Sequence, residues 1–246
     1  MSKRCPLSVS FCVVAIFMIG ASYLIADWHS VTGENIRYTG ENGENYTQQK
    51  SISMGLTHTT ITTEGCPDNE DECIETNEYL PNDEALWSSD ALRRPKLVRC
   101  GWFEDQLNEL EEYEAEGLLI PGEEEHLELM DNRMESCLKM KEANEMTSYF
   151  LYGAMGIGVL SMILIILSNF GFMPNWISMI FIYLLCLGMA GTIVYYFLMF
   201  PSLGTVLEWG VEARLQERPG TSIYLGFASS FFALLAGTTA MGSEDD

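Results

Sequence analysis

Four cysteines, one glycosylation sequon and a knot of carboxylates are the residues of this chain whose types and spacing could do chemistry. Cys66, Cys73, Cys100 and Cys137 fall in one stretch, 27–148, together with Asn45-Tyr46-Thr47, the only Asn-X-Ser/Thr acceptor in the 246 residues. Disulfides and an N-glycan at Asn45 both belong to an oxidising lumen or exterior. Between Cys66 and Cys73 the run Asp68-Asn69-Glu70-Asp71-Glu72 gathers hard oxygen donors. Asp68, Glu70 and Glu72 could hold calcium, but the run lacks the glycine and closing glutamate of an EF-hand, and a solvated acidic loop is the simpler reading. His29, His58 and His126 share no metal-ligand spacing with the cysteines and read as surface or structural residues. Gly153-Ala154-Met155-Gly156-Ile157-Gly158 looks superficially like a phosphate loop. It sits inside an apolar run rather than between a strand and a helix, so it reads as packing glycine. Cys5, just before the first apolar run, is a candidate for palmitoylation or a free thiol, and Cys12 and Cys186 read as small packing residues. With no nucleophile, base or metal cluster, the expectation is a non-enzyme without a cofactor.

The elements that must position these residues are dictated by charge segregation. Windows 8–26, 149–168, 176–200 and 222–242 contain no Asp, Glu, Lys or Arg, although the chain carries 35 acidic and 13 basic residues. An apolar run of about 20 residues crosses the hydrocarbon as a helix, since only intrahelical bonding satisfies backbone amides there. Four spans are therefore predicted. The first, preceded by Lys3 and Arg4, also resembles a signal peptide cleavable after Ala26; its length exceeds the usual apolar core of such peptides and favours a retained anchor. The positive-inside rule, the cysteines and the sequon agree on orientation. Residues 1–7, 169–175 and 243–246 are expected in the cytosol, and 27–148 and 201–221 outside.

The outer segment 27–148 carries 29 acidic against 9 basic residues, a balance of −20 that accounts for nearly all of the net charge of −22. Such a surface repels nucleic acid and anionic lipid and attracts cations or basic protein faces. Residues 32–50, rich in Gly, Asn, Glu and Thr, read as loop. Residues 55–63 and 96–103, richer in β-branched and apolar types, read as strands. Phe103, Leu107, Leu110 and Tyr113, then Leu127, Met130, Met134 and Cys137, recur at helical spacing on either side of Gly117 and Pro121-Gly122, with Glu123, Glu124 and Glu125 favouring the second helix start. Two such helices would lie antiparallel and bring Cys100 near Cys137, leaving Cys66 to pair with Cys73. The expected fold class is an all-α membrane four-helix bundle with a disulfide-bonded extracellular domain built of a small β-sheet plus a helical hairpin.

The spans hold no ionisable residue, which argues against ion coupling within one subunit. Small residues recur as Ala154 with Gly158, Gly188 with Thr192 and Ala233 with Gly237, letting helices approach closely. Tyr149, Tyr152, Trp176, Tyr195, Tyr196 and Tyr224 are expected as interfacial aromatic anchors.

Trp28 follows the first span, Ala85-Leu86-Trp87 occupies the outer loop, and Gly220-Thr221-Ser222-Ile223-Tyr224-Leu225-Gly226-Phe227 opens the fourth span. With four spans, a large first outer loop and a very short inner turn, these motifs resemble the claudin superfamily, which includes claudins, calcium-channel gamma and AMPA-receptor regulatory subunits, and clarins. Where that family has Gly-Leu-Trp followed by two nearby cysteines, this chain has Ala85-Leu86-Trp87 and then Ser88-Ser89-Asp90, with the cysteines at 100 and 137. Its end, Ser243-Glu244-Asp245-Asp246, also lacks the hydrophobic terminus that PDZ scaffolds read. The resemblance implies an auxiliary subunit of a plasma-membrane channel or receptor, with Trp87, Trp102 and Phe103 as partner contacts or ectodomain core. The alternative it implies is a self-associating adhesion or junctional protein. Beyond the lipid bilayer, the expected partner is therefore a membrane protein or a second copy, and not nucleic acid. Non-reducing peptide mapping checks the disulfide expectation: Cys100–Cys137 and Cys66–Cys73 peptides are expected, and a Cys73–Cys100 peptide overturns it.

Overall fold

A computed structural model describes residues 5–25, 27–39, 45–67, 74–81, 86–90, 94–98, 100–115, 117, 123–200 and 214–241. The described chain is mostly helical, with four helices long and apolar enough to cross a membrane and a small antiparallel sheet. It divides into two compact units, one comprising Met1–Trp28, Asn144–Leu198 and Gly220–Asp246, the other His29–Ala143 and Met199–Pro219.

The first unit holds α1 (Cys5–Leu24), the latter part of α3 (Glu123–Asn169), α4 (Asn175–Met199) and α5 (Thr221–Met241). Each buries one narrow line of residues at alternating spacings of four and three. On α1 the line is Ser8, Cys12, Ala15, Ile19 and Ser22; on α5 it is Ser222, Gly226, Ser229, Ala233, Ala236 and Ala240. On α3 it runs Asn144, Thr147, Leu151, Ala154, Gly158, Ser161 and Ile165, and on α4 Ser178, Ile182, Leu185, Met189, Thr192 and Tyr196. A 3.5-residue repeat keeps one seam facing a neighbour in a left-handed bundle, and small residues along it let backbones approach in lipid. Large apolar side chains such as Phe17, Leu187 and Leu198 point outward instead, as a hydrocarbon solvent permits.

Two serine bonds set the register of α1 against α5. Ser8 Oγ donates to the Ala236 carbonyl at 2.8 Å and Ser22 Oγ to the Ser222 carbonyl at 2.9 Å, which makes the pair antiparallel. Cys12, Ile165, Ile182 and Ala236 form a buried cluster that ties the four helices together. The short turn expected between the second and third spans is present as a tight C-cap on α3. Gly171 adopts a φ of 76°, its N–H bonds to the Ser168 carbonyl, and the Phe172 N–H reaches the Leu167 carbonyl at 3.1 Å.

The second unit contains β1 (His29–Thr39), β2 (Asn45–Met54), β3 (His58–Pro67), β4 (Ile74–Pro81), β5 (Leu86–Asp90), β6 (Arg94–Val98), α2 (Cys100–Ala115), the start of α3 and β7 (Arg214–Pro219). Five strands form an antiparallel sheet in the order β4-β3-β2-β1-β7, and β5 pairs with β6. The register places Val31 opposite Ile52, both fully buried, while β1 shifts register between Gly33 and Ile36.

Four sequence expectations are corrected. Residues 32–50 are not a loop: most of them are β1 and β2, because cross-strand pairing needs one apolar face, supplied here by Val31, Ile52 and Met54, and tolerates polar residues on the other. The strand expected over 96–103 stops at Val98 and Cys100 opens α2, so the helical period of Leu107 and Leu110 extends back to the cysteine. The 55–63 strand begins only at His58, since the Gly55 N–H bonds to the His58 carbonyl and closes a turn. The second helix of the expected hairpin does not end near Cys137. It continues as the 47-residue α3 to Asn169, so the boundary expected at 148/149 falls inside a helix. No Gly or Pro interrupts residues 123–152, and the 3–4 spacing of Met130, Cys137, Met140 and Asn144 passes into the span without a break.

In the β2–β3 turn the Thr57 hydroxyl lies 2.8 Å from His58 Nδ1, and burial pushes the His58 imidazole below its ordinary value. Which of the two groups donates depends on the tautomer of the ring, and burial by itself disfavours the charged imidazole. Because the folded value is depressed, the stability that His58 contributes is present above about pH 6.5 and is lost as pH falls through the folded value. Thermal unfolding of detergent-solubilised protein at pH 7.5 and 5.0 should show a drop on acidification that is smaller in H58Q.

Candidate interaction site

The tightest polar construction in the first unit is a knot joining the end of α1 to the start of α5. The Asp27 carbonyl accepts the Ser222 N–H at 2.9 Å, Asp27 Oδ2 accepts the Thr221 N–H at 2.7 Å, and the Trp28 carbonyl accepts the Gly220 N–H at 3.0 Å. The first amides of a helix have no intrahelical partner and carry partial positive charge. Here a carboxylate 194 residues away in sequence caps them. Ser222 Oγ donates to the Ile25 carbonyl, and Trp28 Nε1 donates to the Ser22 carbonyl at 2.7 Å.

Trp28 is fully buried and lies 4.9 Å, centroid to centroid, from the Tyr196 ring. Tyr196 is thus a core residue and not the interfacial anchor its neighbours suggested. Tyr149, Tyr152, Trp176 and Tyr224 are exposed as expected of anchors, and the Tyr152 hydroxyl bonds to that of Tyr23. Gly220 fits the knot because it lacks a side chain: a Cβ there would stand 2.0 Å from the Asp27 carbonyl oxygen. Trp28 and Gly220, which carry part of the family resemblance, are therefore hydrogen-bonded to one another.

The small residues divide into two classes. A Cβ on Gly158 would meet Ile16 at 2.7 Å, one on Gly226 would meet Ile193 at 3.0 Å and one on Gly237 would meet Ile182 at 3.3 Å, so these glycines are consumed by packing within the bundle. At Gly20, Gly156 and Gly191 a Cβ would meet nothing within 4 Å, and the same holds for Gly153 and Gly188. Both line a groove of about 220 Å³ between α3 and α4, with Tyr149, Phe150, Ile157 and Leu184 among its walls. Thr192 also lines it, but its hydroxyl is returned to the Gly188 carbonyl at 2.8 Å, so the groove presents an almost wholly apolar surface. Of the sequence pairs, Ala154–Gly158 and Ala233–Gly237 serve internal packing, and Gly188–Thr192 opens onto this groove.

The remaining candidates are distributed along the second unit. Cys137 is fully buried and disulfide-bonded, its partner lying outside the described side chains. Cys100 opens α2 and Cys66 lies in β3 opposite Thr47, but their side chains, like that of Asn45 at the start of β2, lie outside the described set. Trp87 pairs with Leu97 between β5 and β6, and Trp102 and Phe103 are in the first turn of α2, again without described side chains. Cys73, Asp68, Glu70 and Glu72 lie outside the described residues; Cys5 begins α1, its side chain undescribed. Among the described residues no three His, Cys, Asp or Glu side chains converge as a metal site, and Cys12 and Cys186 are free thiols. Exposed carboxylates line α2 (Glu104, Asp105, Glu109, Glu112) and the start of α3 (Glu128, Asp131).

No protein-family model matches the chain. No curated protein matches it either.

The knot makes a direct prediction. Gly220→Ala should destabilise the folded protein by about 2 kcal/mol or more, because the methyl cannot coexist with the Asp27 carbonyl. Asp27→Ala should cost about 1 kcal/mol by leaving the α5 amides uncapped, with Asp27→Asn milder. Thermal unfolding in detergent, read from tryptophan emission, checks the order Gly220→Ala, Asp27→Ala, Asp27→Asn.

Proposed function

We propose that the chain is a non-catalytic, multi-pass auxiliary subunit of a membrane channel or receptor complex. In this reading it resides in the plasma membrane, with both termini in the cytosol and the strand-bearing segments outside. The observation that carries the reading is the apolar groove between α3 and α4, onto which two of the unfilled glycines, Gly153 and Gly188, open, whereas Gly158, Gly226 and Gly237 are filled from within. A glycine that no neighbour fills lowers helix stability without a packing return, whereas a second helix brought to that surface gains close backbone contact in lipid. The acidic exposed faces of α2 and α3 suit a partner whose outer surface is basic. Trp87, Trp102 and Phe103 are the proposed aromatic contacts or core, a Cys100–Cys137 bridge the proposed brace, and Asn45 the proposed glycan site. The resemblance to regulatory gamma-type subunits points the same way.

A second reading, a self-associating adhesion or junctional protein, draws on the sheet order, in which β4 and β7 each have one edge without a strand partner among the described residues. Crosslinking in intact native membranes followed by affinity isolation separates the two. Recovery of a channel or receptor at fixed stoichiometry supports the first reading, and ladders of this chain alone support the second. Gly188→Leu and Gly153→Leu should reduce recovery of the partner at least tenfold while leaving thermal stability unchanged or slightly raised, since the added side chains enter open space. Undiminished recovery would remove the groove from the interface.

A further inference from the structure

The knot leaves one carboxylate oxygen unserved. Asp27 Oδ2 accepts the Thr221 N–H, but Asp27 Oδ1 is buried with no hydrogen-bond partner among the described residues. The described segments of the first unit, 5–25, 27–28, 144–198 and 220–241, contain no Lys, Arg or His, so none of their side chains balances the charge. The α5 amides carry only partial positive charge. Two oxygens of α3 are in a similar condition: Thr147 is fully buried and Asn144 is 8% exposed, and neither Thr147 Oγ1 nor Asn144 Oδ1 has a hydrogen-bond partner among the described residues. Buried oxygens left so are costly, most of all on a carboxylate.

The helices bring these oxygens to one level. A Cβ on Gly158 would meet Ile16 of α1 and Leu185 of α4, so that line of α3 faces both helices. At 3.6 residues per turn, Thr147 lies about three turns from Gly158 and Asn144 about four, both within about 40° of the same line. From the Gly158–Leu185 approach to the edge-on ring pair Phe150–Tyr195 at 5.2 Å, numbering falls along α3 and rises along α4, so the two run antiparallel. Tyr196 is as far from Leu185 as Thr147 is from Gly158 and comes level with it. The Tyr196 ring lies 4.9 Å from that of Trp28, and the Asp27 carboxylate acts electrostatically on its hydroxyl. Thr147 and Asn144 therefore project between α1 and α4 at the level of Asp27.

We propose that Asp27 Oδ1, Asn144 Oδ1 and Thr147 Oγ1 bind a sodium ion. All three are hard oxygen donors, and the carboxylate and amide oxygens can only accept, which suits a cation and excludes an anion. One carboxylate balances one positive charge, whereas calcium would leave the buried site charged. A water could bond the same oxygens but would leave the carboxylate uncompensated. Sodium held there joins α3 to a knot that otherwise fastens α1 to α5, at a site separate from the apolar groove between α3 and α4.

Thermal unfolding of the full-length protein in lipid nanodiscs, with sodium chloride or choline chloride at about 0.15 M, tests the site. Sodium should raise the wild-type midpoint by roughly 3–6 °C over choline. Thr147→Val and Asn144→Ala should each abolish that difference. Each removes one ligand on α3 and leaves the Asp27 cap of α5 in place, and either carries the test if the other fails to fold. Choline screens surface charge as sodium does but is too large for the site. Equal wild-type midpoints in the two salts, as a bound water would give, overturn the proposal, and so does a sodium difference that survives in either variant.

Discussion

The bundle depends on how closely α1 and α5 can approach. In hydrocarbon there is no apolar surface to be removed from water, so helices associate through van der Waals contact and the occasional interhelical hydrogen bond. Every position along the α1 seam is small or compact except Ile19, and the facing seam of α5 is entirely Ser, Gly and Ala. That closeness lets Ser8 and Ser22 reach carbonyls on the other helix. Each bond contributes about 0.6 kcal/mol in a membrane, too little to drive association. Fourteen residues apart on both helices, however, the two bonds fix the register and exclude a slip by one turn. The Asp27 knot then closes the end of the bundle where α1 finishes and α5 begins, with bonds that a one-residue displacement would break.

The existence of four membrane-length helices was legible because charge exclusion is a strong signal over 20 residues. The seams were not, although the same residues carry them. In a helix that is apolar all round, the buried line differs from the rest by size rather than by polarity, so a hydropathy reading passes over the recurrence of Ser8, Cys12, Ala15, Ile19 and Ser22. Tyr196 was misassigned for a related reason: one aromatic among several at a span end gives no sign that Trp28 will cover it. The sheet was partly hidden because β1 and β2 are rich in Gly, Asn, Glu and Gln, types that local propensity assigns to loops, and because β1 also pairs with β7, nearly two hundred residues away. The length of α3 was missed at the change of composition near 148, which marks a change of solvent and not of backbone.

Of the candidate site, the sequence showed which residues were small but not which of them were already occupied. Gly158 and Gly188 are equivalent by type, and each has a small neighbour four residues away. Only the position of Ile16, projecting from another helix, distinguishes the filled one from the open one. Likewise Trp28 and Gly220 are two motifs nearly two hundred residues apart whose shared meaning, a hydrogen bond between them, appears only when the chain is folded.

That separation constrains how the molecule can be made. Ser8 and Ala236 are 228 positions apart, and the first and last of the four helices are mutual partners. While a ribosome is still delivering the intervening residues, the α1 seam has nothing to bind. Its serine hydroxyls must turn back on their own helix, and the Asp27 carboxylate has no amide to cap. Close packing of the α1 seam therefore waits until α5 enters the bilayer, and until then that seam is open to other helices nearby.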